Sequence, residues 1–258
     1  TSCVPYLSKP QQLTCYFTRM NNLTNKTALI TGGSKGIGYG VAEAMVREGM
    51  NVVITARTAE EVKKAADKLN KIAPGKALGI RCDVRKLKDQ EKVVEKALKT
   101  FGSLDVLIAN AGIGNFAPVD KMTVEQWHEV IDINLTGVFY SVKASVEALK
   151  KSKGYIITIS SLAGTNFFEN GAAYNASKFG LTGMTQAMML DLRRYNIKVS
   201  TIMPGSVATY FGNHKPSKAD DWKIQSEDIA EMVMYLLHTN PRNLPSKIEV
   251  RPSQPPQK

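Results

Sequence analysis

The stretch Thr27-Ala-Leu-Ile-Thr-Gly-Gly-Ser-Lys-Gly-Ile-Gly38 decides the fold. Its first residues are apolar and suit a strand, glycines then cluster at 32, 33, 36 and 38, and Val41-Ala-Glu-Ala-Met-Val-Arg-Glu-Gly49 follows with helical spacing. A strand that runs into a glycine-rich turn and then a helix makes an anion site, because the first backbone N–H groups of a helix have no intrahelical partner. Gly32, Gly36 and Gly38 let the backbone turn tightly and approach a pyrophosphate. The spacing is Gly-x-x-x-Gly-x-Gly, which departs from the Gly-x-Gly-x-x-Gly dinucleotide fingerprint. By itself the loop also reads as an ordinary strand-to-helix turn.

Working outward, apolar runs recur at about 26–31, 51–55, 78–82, 105–109, 154–160, 197–203 and 247–250, separated by helical stretches that include 123–150 and 173–195. Alternation of this kind predicts an α/β protein, a single-domain Rossmann fold with a doubly wound, seven-stranded parallel sheet and helices on both faces. The 258 residues, 43% of them hydrophobic, suffice for one sizeable core. No apolar run reaches the eighteen or so residues of a membrane span, and no internal repeat is present.

Tyr174 and Lys178 sit four residues apart in Tyr-Asn-Ala-Ser-Lys, and Ser161 lies thirteen residues upstream of the tyrosine, at the end of Tyr155-Ile-Ile-Thr-Ile-Ser-Ser. A helix over 173–195 puts positions 174 and 178 on one face. A phenol with a pKa of about 10 exchanges protons poorly near neutrality unless a cation favours the phenolate, and Lys178 supplies that cation. The pair alone also reads as two neighbours on a helix surface.

Further landmarks stand in order along the chain: Asp83 after Leu78-Gly-Ile-Arg-Cys, Asn110-Ala-Gly112 after Leu104-Asp-Val-Leu-Ile-Ala109, Asn134 in Ile131-Asp-Ile-Asn-Leu, Ser160-Ser161, and Pro204-Gly205 after Ile197-Lys-Val-Ser-Thr-Ile-Met203. With these in register, the chain resembles the short-chain dehydrogenase/reductase family from about Asn25 to Val250. The resemblance implies reversible hydride transfer between a nicotinamide cofactor and an alcohol or carbonyl carbon. It implies that Tyr174 is the general acid in reduction, that Lys178 holds the nicotinamide ribose and lowers the tyrosine pKa, and that Ser161, rather than Ser160, hydrogen-bonds the substrate oxygen. Asn134 is implied to help hold a water that links the lysine to solvent. Cofactor contacts are implied for Gly32, Ser34, Lys35, Gly36, Ile37 and Gly38 in the first turn, and for Arg57 after the second strand. They are also implied for Asp83 and Val84, for Asn110, Ala111 and Gly112, for Tyr174 and Lys178, and for Pro204, Gly205 and Val207.

The second strand ends Asn51-Val-Val-Ile-Thr-Ala-Arg57, with Ala56 and Arg57 where an NAD site places an acidic residue for the ribose 2′-hydroxyl. An arginine there accommodates a 2′-phosphate, and Lys35 adds a second cation, so the expected cofactor is NADP(H). The formal net charge of +11 is concentrated between Glu61 and Lys99, where twelve Lys or Arg face six Asp or Glu. No aromatic residue is interleaved there to stack bases, so this reads as a solvated basic face on two helices rather than a nucleic-acid site. Attraction of anionic cofactor or acyl-carrier substrates is its functional alternative. Cys3, Cys15 and Cys82 have no metal-ligand spacing, no metal is expected, and an odd count argues for a reducing compartment.

The expected organisation is an extension over 1–24, the oxidoreductase domain over 25–250, and an extended proline-rich tail over 251–258. Residues 1–24 contain no Asp or Glu; a flexible segment, a targeting remnant and a cloning artefact all remain open, with the cytoplasm as the expected location. Substrate choice is expected to rest on the stretch between Val207 and Ser226, which the resemblance makes a mobile lid. Its short, polar and basic character argues against a deep steroid-sized pocket and for a small or flexible carbonyl compound, with an anionic end near His214, Lys215 or Lys218. Asn115, Phe116, Gly164, Thr165 and Phe167 to Asn170 are expected to shape the other walls. The centre of the chain resembles 3-oxoacyl-acyl-carrier-protein reductases. The ending Ile248-Glu-Val-Arg-Pro-Ser is closer to NADP-dependent 3-hydroxy acid dehydrogenases and carbonyl reductases. The expected substrates are therefore a 3-oxoacyl thioester, a 3-oxo acid or a small ketone, free or carrier-bound. A cofactor-binding sensor or scaffold without catalysis is the alternative; a sugar-nucleotide epimerase is disfavoured for want of Gly-x-x-Gly-x-x-Gly. No nucleic-acid or membrane partner is expected, and the long helices imply by resemblance a homodimer or homotetramer.

Overall fold

The computed structural model describes residues 22–72 and 75–254, so the reading of the segment before residue 22 and of residues 255–258 lies outside the described residues. Seven strands, β1 (Thr27–Thr31), β2 (Asn51–Ala56), β3 (Lys76–Arg81), β4 (Val106–Ala109), β5 (Tyr155–Ile159), β6 (Lys198–Pro204) and β7 (Lys247–Val250), form one sheet in the order β3-β2-β1-β4-β5-β6-β7. Every pairing is parallel. Parallel neighbours need crossovers, and the helices supply them: α1 (Gly36–Arg47), α2 (Ala59–Leu69), α3 (Leu87–Phe101), α4 (Val124–Ile131), α5 (Gly137–Ser152), α6 (Ala172–Leu192) and α7 (Ser226–His238).

The central strands are apolar on both faces because both faces are covered. Ala28, Ile30, Val52, Ile54, Val106 and Ile108 pack with α1, α2 and α7. Their alternating neighbours Leu29, Val53 and Leu107 pack with α3 and α5, joined by partly buried Met188, Met189 and Leu192 of α6. Each fully buried aliphatic side chain contributes roughly 1.5–3 kcal/mol relative to exposure, which is why the strands read as unbroken hydrophobic runs.

Two elements differ from the sequence reading. β3 begins at Lys76 and ends at Arg81, two residues earlier than its apolar run suggested at the start. The register Asn51↔Lys76 to Ala56↔Arg81 sets these ends, and Asn70 adds hydrogen bonds of 2.8 Å to both the N–H and the carbonyl of Ala77 on the free edge. An edge strand capped in this way offers fewer open groups to another chain. The long helix over 123–150 is two helices, α4 and α5, joined by a π-helical turn at Asp132–Thr136 that carries Asn134. π turns inside helices concentrate at functional sites, and a hydrophobic period of 3.6 does not reveal them. No helix among the described residues is long and apolar enough to cross a membrane.

Sequence order reverses at the β1/β4 boundary: from β1 the chain builds outward to β3, then returns to β4 on the other side. Loops diverge there and leave a crevice at the carboxyl ends of the strands, where open α/β sheets bind ligands. On the β3 side the helix layer is tight, since a Cβ at Gly79 would lie 2.5 Å from the Val62 carbonyl oxygen of α2. Gly79→Ala should therefore cost about 1–3 kcal/mol by overpacking, read as a lower urea midpoint with an unchanged slope.

Candidate active site

At the crevice, Gly32 and Gly36 take positive φ of 67° and 59°, conformations that favour glycine. Gly38 is needed for space: a Cβ would sit 2.5 Å from the Gly32 carbonyl oxygen and 2.6 Å from Asn110 Nδ2. Helix α1 starts behind this turn with no side-chain cap at Lys35 and no acidic residue in its first turn. Its N–H groups and positive dipole end are left for an anion. The turn is fastened to β4. Asn110 Nδ2 donates to the carbonyls of Thr31 (2.9 Å) and Gly32 (3.1 Å), and Thr31 Oγ1 accepts from the N–H groups of Asn110 and Ala111 at 3.1 Å each.

A cleft of about 1440 Å³ runs from this turn past the ends of β2 and β3 to Tyr174 and Lys178. Every residue expected to bind the cofactor borders it except Gly38, which lies beneath the turn. At the far end stand Arg57, Thr58 and Glu61, with Arg57 Nη1 4.0 Å from Glu129 and both side chains largely exposed. Arg81 Nε donates to the Arg57 carbonyl at 3.1 Å. The Asp83 carboxylate is gripped by Arg85, whose Nη2 lies 2.6 Å from Oδ2 and whose Nε lies 2.9 Å from Oδ1; the guanidinium holds its pKa down. Cys82 lies just past β3 rather than inside it, and burial pushes its thiol up to about 12, which keeps it protonated and unreactive.

The proton-transfer group is assembled from three elements. Helix α6 carries Tyr174 and Lys178 on one face, and Lys178 Nζ, buried, donates to the Ile159 carbonyl at the end of β5 at 3.0 Å. Its ammonium lies 5.8 Å from the Tyr174 ring centroid, and burial lowers its pKa to about 8. Ser161, just after β5, lines the cleft together with Tyr174, accepts from Ala163 N–H at 3.1 Å and donates to the Pro204 carbonyl at 3.4 Å. Ser160 instead points into α6, bonding the Lys178 carbonyl and Thr182 Oγ1. The expectation that Lys178 lowers the Tyr174 pKa is not met in the protein alone: burial raises it, and only the Ser161 hydrogen bond acts the other way.

Asn134 does not border the cleft. Its Oδ1 accepts from Ile113 N–H at 2.8 Å, and its Nδ2 donates to the Ile113 carbonyl at 2.9 Å and to Ser177 Oγ at 3.1 Å. Both amide hydrogens are spent, so the side chain clamps the π turn to the loop after β4 and has no donor left for a water. A Cβ placed on Gly112 would lie 3.3 Å from Asn134 Oδ1 and 3.7 Å from Lys178 Nζ, which shows how closely the three segments converge.

On the substrate side, Phe167 and Phe168 border the cleft as expected, while Asn115, Phe116, Gly164, Thr165, Glu169 and Asn170 do not. Phe116, 46% exposed, lies outside the cleft lining with its ring 5.5 Å from that of Tyr174. Of the three basic lid residues expected there, His214 borders the cleft and Lys215 and Lys218 do not; Lys223 borders it as well. His214 Nε2 and Lys223 Nζ both bind the buried Asp220, at 2.7 and 2.6 Å, so neither is an unopposed cation. The Asp220 knot arises because Ser217 N–H also donates to the carboxylate at 2.9 Å, which fixes the lid turn. The tail is not merely superficial, for Arg251, Pro252, Ser253 and Gln254 line the cleft.

Asn175 is a site residue that the sequence reading missed. Its Nδ2 donates to the carbonyls of Ala163 (2.8 Å) and Asn166 (2.7 Å), fixing the loop that carries Phe167 and Phe168. Gln90 was missed too: its Nε2 ties the Val84 carbonyl to that of Gly137, at 2.8 and 2.9 Å. The only signal for either was an amide beside a motif. The glycine turn, the uncapped helix start and the length of the cleft together fit a dinucleotide.

The short chain dehydrogenase profile matches residues 26–220. Trans-4-hydroxycyclohexanecarboxylate dehydrogenase of Sinomonas cyclohexanicum is 40% identical over 73% of this chain and 75% of its own length. Alcohol dehydrogenase from Thermococcus sibiricus, solved with 5-hydroxy-NADP, superposes with a TM-score of 0.84 at 30% identity, covering 90% of this chain and 99% of that one. The 3-ketoacyl-(acyl-carrier-protein) reductase of Brucella melitensis, solved with NADH, gives 0.81 at 25% identity, covering 90% and 98%. With its parallel sheet, its glycine turn and the convergence of Ser161, Tyr174 and Lys178, the chain belongs to the short-chain dehydrogenase/reductase family.

Proposed function

We propose that the protein reduces a carbonyl to a secondary alcohol, reversibly and with NADPH, on small ketones or 3-oxoacyl compounds. The observation that carries this reading is the convergence at the cleft of Ser161 and the Tyr174 phenol, with the buried Lys178 ammonium over the phenol ring. The reduced nicotinamide supplies the hydride that becomes the new C–H bond. Tyr174 gives its proton to the oxygen of the former C=O, and Ser161 positions that oxygen and stabilises the charge that develops on it. Burial raises the phenol pKa, so Tyr174 keeps its proton near neutrality and is poised as the acid that reduction needs. Lys178 holds the cofactor ribose, and Asn134 acts through its clamp on Ile113.

NADPH preference is supported by the end of β2, where Ala56 and Arg57 stand in place of a carboxylate, and by Lys35 in the turn. Glu61 also borders the cleft but lies one turn into α2. The fit to relatives solved with NADP-type and NADH cofactors leaves this chain's own residues to decide, and both cations favour a 2′-phosphate. Self-association through the exposed apolar residues of α5 and α6, Phe139 and Phe179, belongs to the same proposal.

Tyr174→Phe should lower turnover about 10²–10⁴-fold while cofactor affinity, read by fluorescence titration, stays within about twofold. Substantial residual turnover would refute the acid role. Arg57→Asp should raise the NADPH Michaelis constant about 10–100-fold and leave that for NADH nearly unchanged or lower. An equal change for the two cofactors would sink the preference. The pH profile of kcat/KM for reduction should fall as pH rises through about 8, because Lys178 then loses the charge with which it holds the cofactor ribose. A flat profile to pH 10 would contradict that role.

A further inference from the structure

Four aromatic rings gather at the reacting end of the cleft. Phe116 lies 5.5 Å from Tyr174, 5.7 Å from Phe168 and 6.4 Å from Phe211, centroid to centroid. Tyr174 in turn lies 6.3 Å from Phe168 and 5.6 Å from Phe211. All of these contacts are edge-on or tilted, the favoured arrangement for aromatic pairs. Phe168, Phe211 and Tyr174 border the cleft, while Phe116 touches all three from outside its lining. The rings come from four segments: the loop after β4, the loop before α6, α6 itself and the lid after β6. Nothing in sequence spacing joins them.

The backbone makes room for this cluster. A Cβ on Gly114 would lie 2.6 Å from the Phe211 ring and 2.7 Å from that of Phe116; one on Gly171 would lie 2.8 Å from Phe168. Two bare glycines therefore let three rings settle where side chains would push them aside. Phe168 and Phe211 nevertheless remain 47% and 38% exposed and line the cleft, so both leave apolar surface open near the phenol. The basic side chains of the lid and tail are already engaged: His214 and Lys223 with Asp220, and Arg251 Nη2 with Glu249 at 3.2 Å.

We infer that Phe168 and Phe211, held in place by Phe116, select a neutral ketone, or the matching secondary alcohol, whose carbonyl belongs to or adjoins an apolar ring. This rests on the reductase reading given above. A carbonyl oxygen held by Tyr174 and Ser161 has carbon on both flanks, and that carbon then meets aromatic surface. A ring substrate presents both flanks as one rigid body and loses fewer rotors on binding than a linear acyl chain. A carboxylate beside the carbonyl would find the basic side chains of the lid and tail already held by Asp220 and Glu249. Phe116 is a positioning residue, since it reaches the substrate only through the rings it supports.

The test compares 4-methylcyclohexanone, 4-oxocyclohexanecarboxylate and a linear 3-oxoacyl N-acetylcysteamine thioester with purified full-length protein and NADPH. The expected result is a kcat/KM for the neutral cyclic ketone at least about tenfold above those of the other two. Phe211→Ala and Phe116→Leu should shrink that preference, acting mainly on KM, with NADPH affinity by fluorescence titration unchanged. A higher kcat/KM for the thioester or the carboxylate would overturn the inference while leaving the reductase reading intact. So would variants that slow all three substrates equally. Cofactor binding without turnover of any carbonyl would overturn the reductase reading and this inference with it.

Discussion

The hydrogen bonds between Thr31, at the end of β1, and Asn110, just past β4, hold the two strand ends on which the cleft depends. Parallel strands need no such closure to pair, and at the switch point the loops that follow them diverge. Without the closure the glycine turn has no partner on the β4 side, since Asn110 Nδ2 also satisfies the Gly32 carbonyl. The position of α1, the approach to a pyrophosphate and the path of the Asn110-Ala111-Gly112 segment all follow from it. Asn134 repeats the device one layer further on, where its amide pairs with both backbone groups of Ile113. In each case a side-chain amide does the work of a missing strand neighbour, a use of polar groups that stabilises only when every donor is satisfied.

Burying Lys178 is the site's main energetic concession. Its folded pKa of about 8 lies below the ordinary 10.5, so between those values the unfolded chain binds more protons than the folded one. Stability therefore rises with pH across that window, and the penalty is fully present below about 8, where the folded protein carries the charge. The Ile159 carbonyl offsets part of it. A charge kept against such a cost in an apolar setting marks function better than any surface ion pair does. Tyr174 shows the complementary effect, for the same burial that discharges a lysine keeps a phenol protonated.

Much of this was legible in the sequence because it is local. A strand, a turn and a helix in succession reveal β1 and α1, and two residues four apart reveal Tyr174 and Lys178. Continuous apolar runs placed all seven strands, β3 with a shift that only its ladder with β2 decides. What stayed hidden depends on long-range contact. The π turn at Asn134 leaves the helical pattern intact, and the role of Asn175 exists only once the Ala163 to Asn166 loop has folded back on α6. Lys215 and Lys218 looked like substrate-facing charges because a sequence shows charge without direction. The Asp220 knot gives the direction, drawing His214 and Lys223 inward.

This division between local and long-range explains how the chemistry and the specificity separate. Ser161, Tyr174 and Lys178 sit at the end of β5 and on α6, elements anchored in the sheet, and their geometry is as fixed as the core. The rings beside them ride on loops, held by glycine clearance at Gly114 and Gly171 and by the hydrogen bonds of Asn175 and Asp220. A substitution in those loops changes what reaches Tyr174 without disturbing the Ile159 carbonyl that holds Lys178. On the proposed reading, the rigid part supplies hydride geometry and a proton, while the loop part decides which carbon is presented to them. The lid belongs to both classes: Val207 pairs with Ile224 at its base, and Ala208 N–H reaches the Ile224 carbonyl at 2.9 Å. Its stem is thus tied to itself while Phe211 brings its ring to 5.6 Å from that of Tyr174, so the lid delivers that ring from a fixed root.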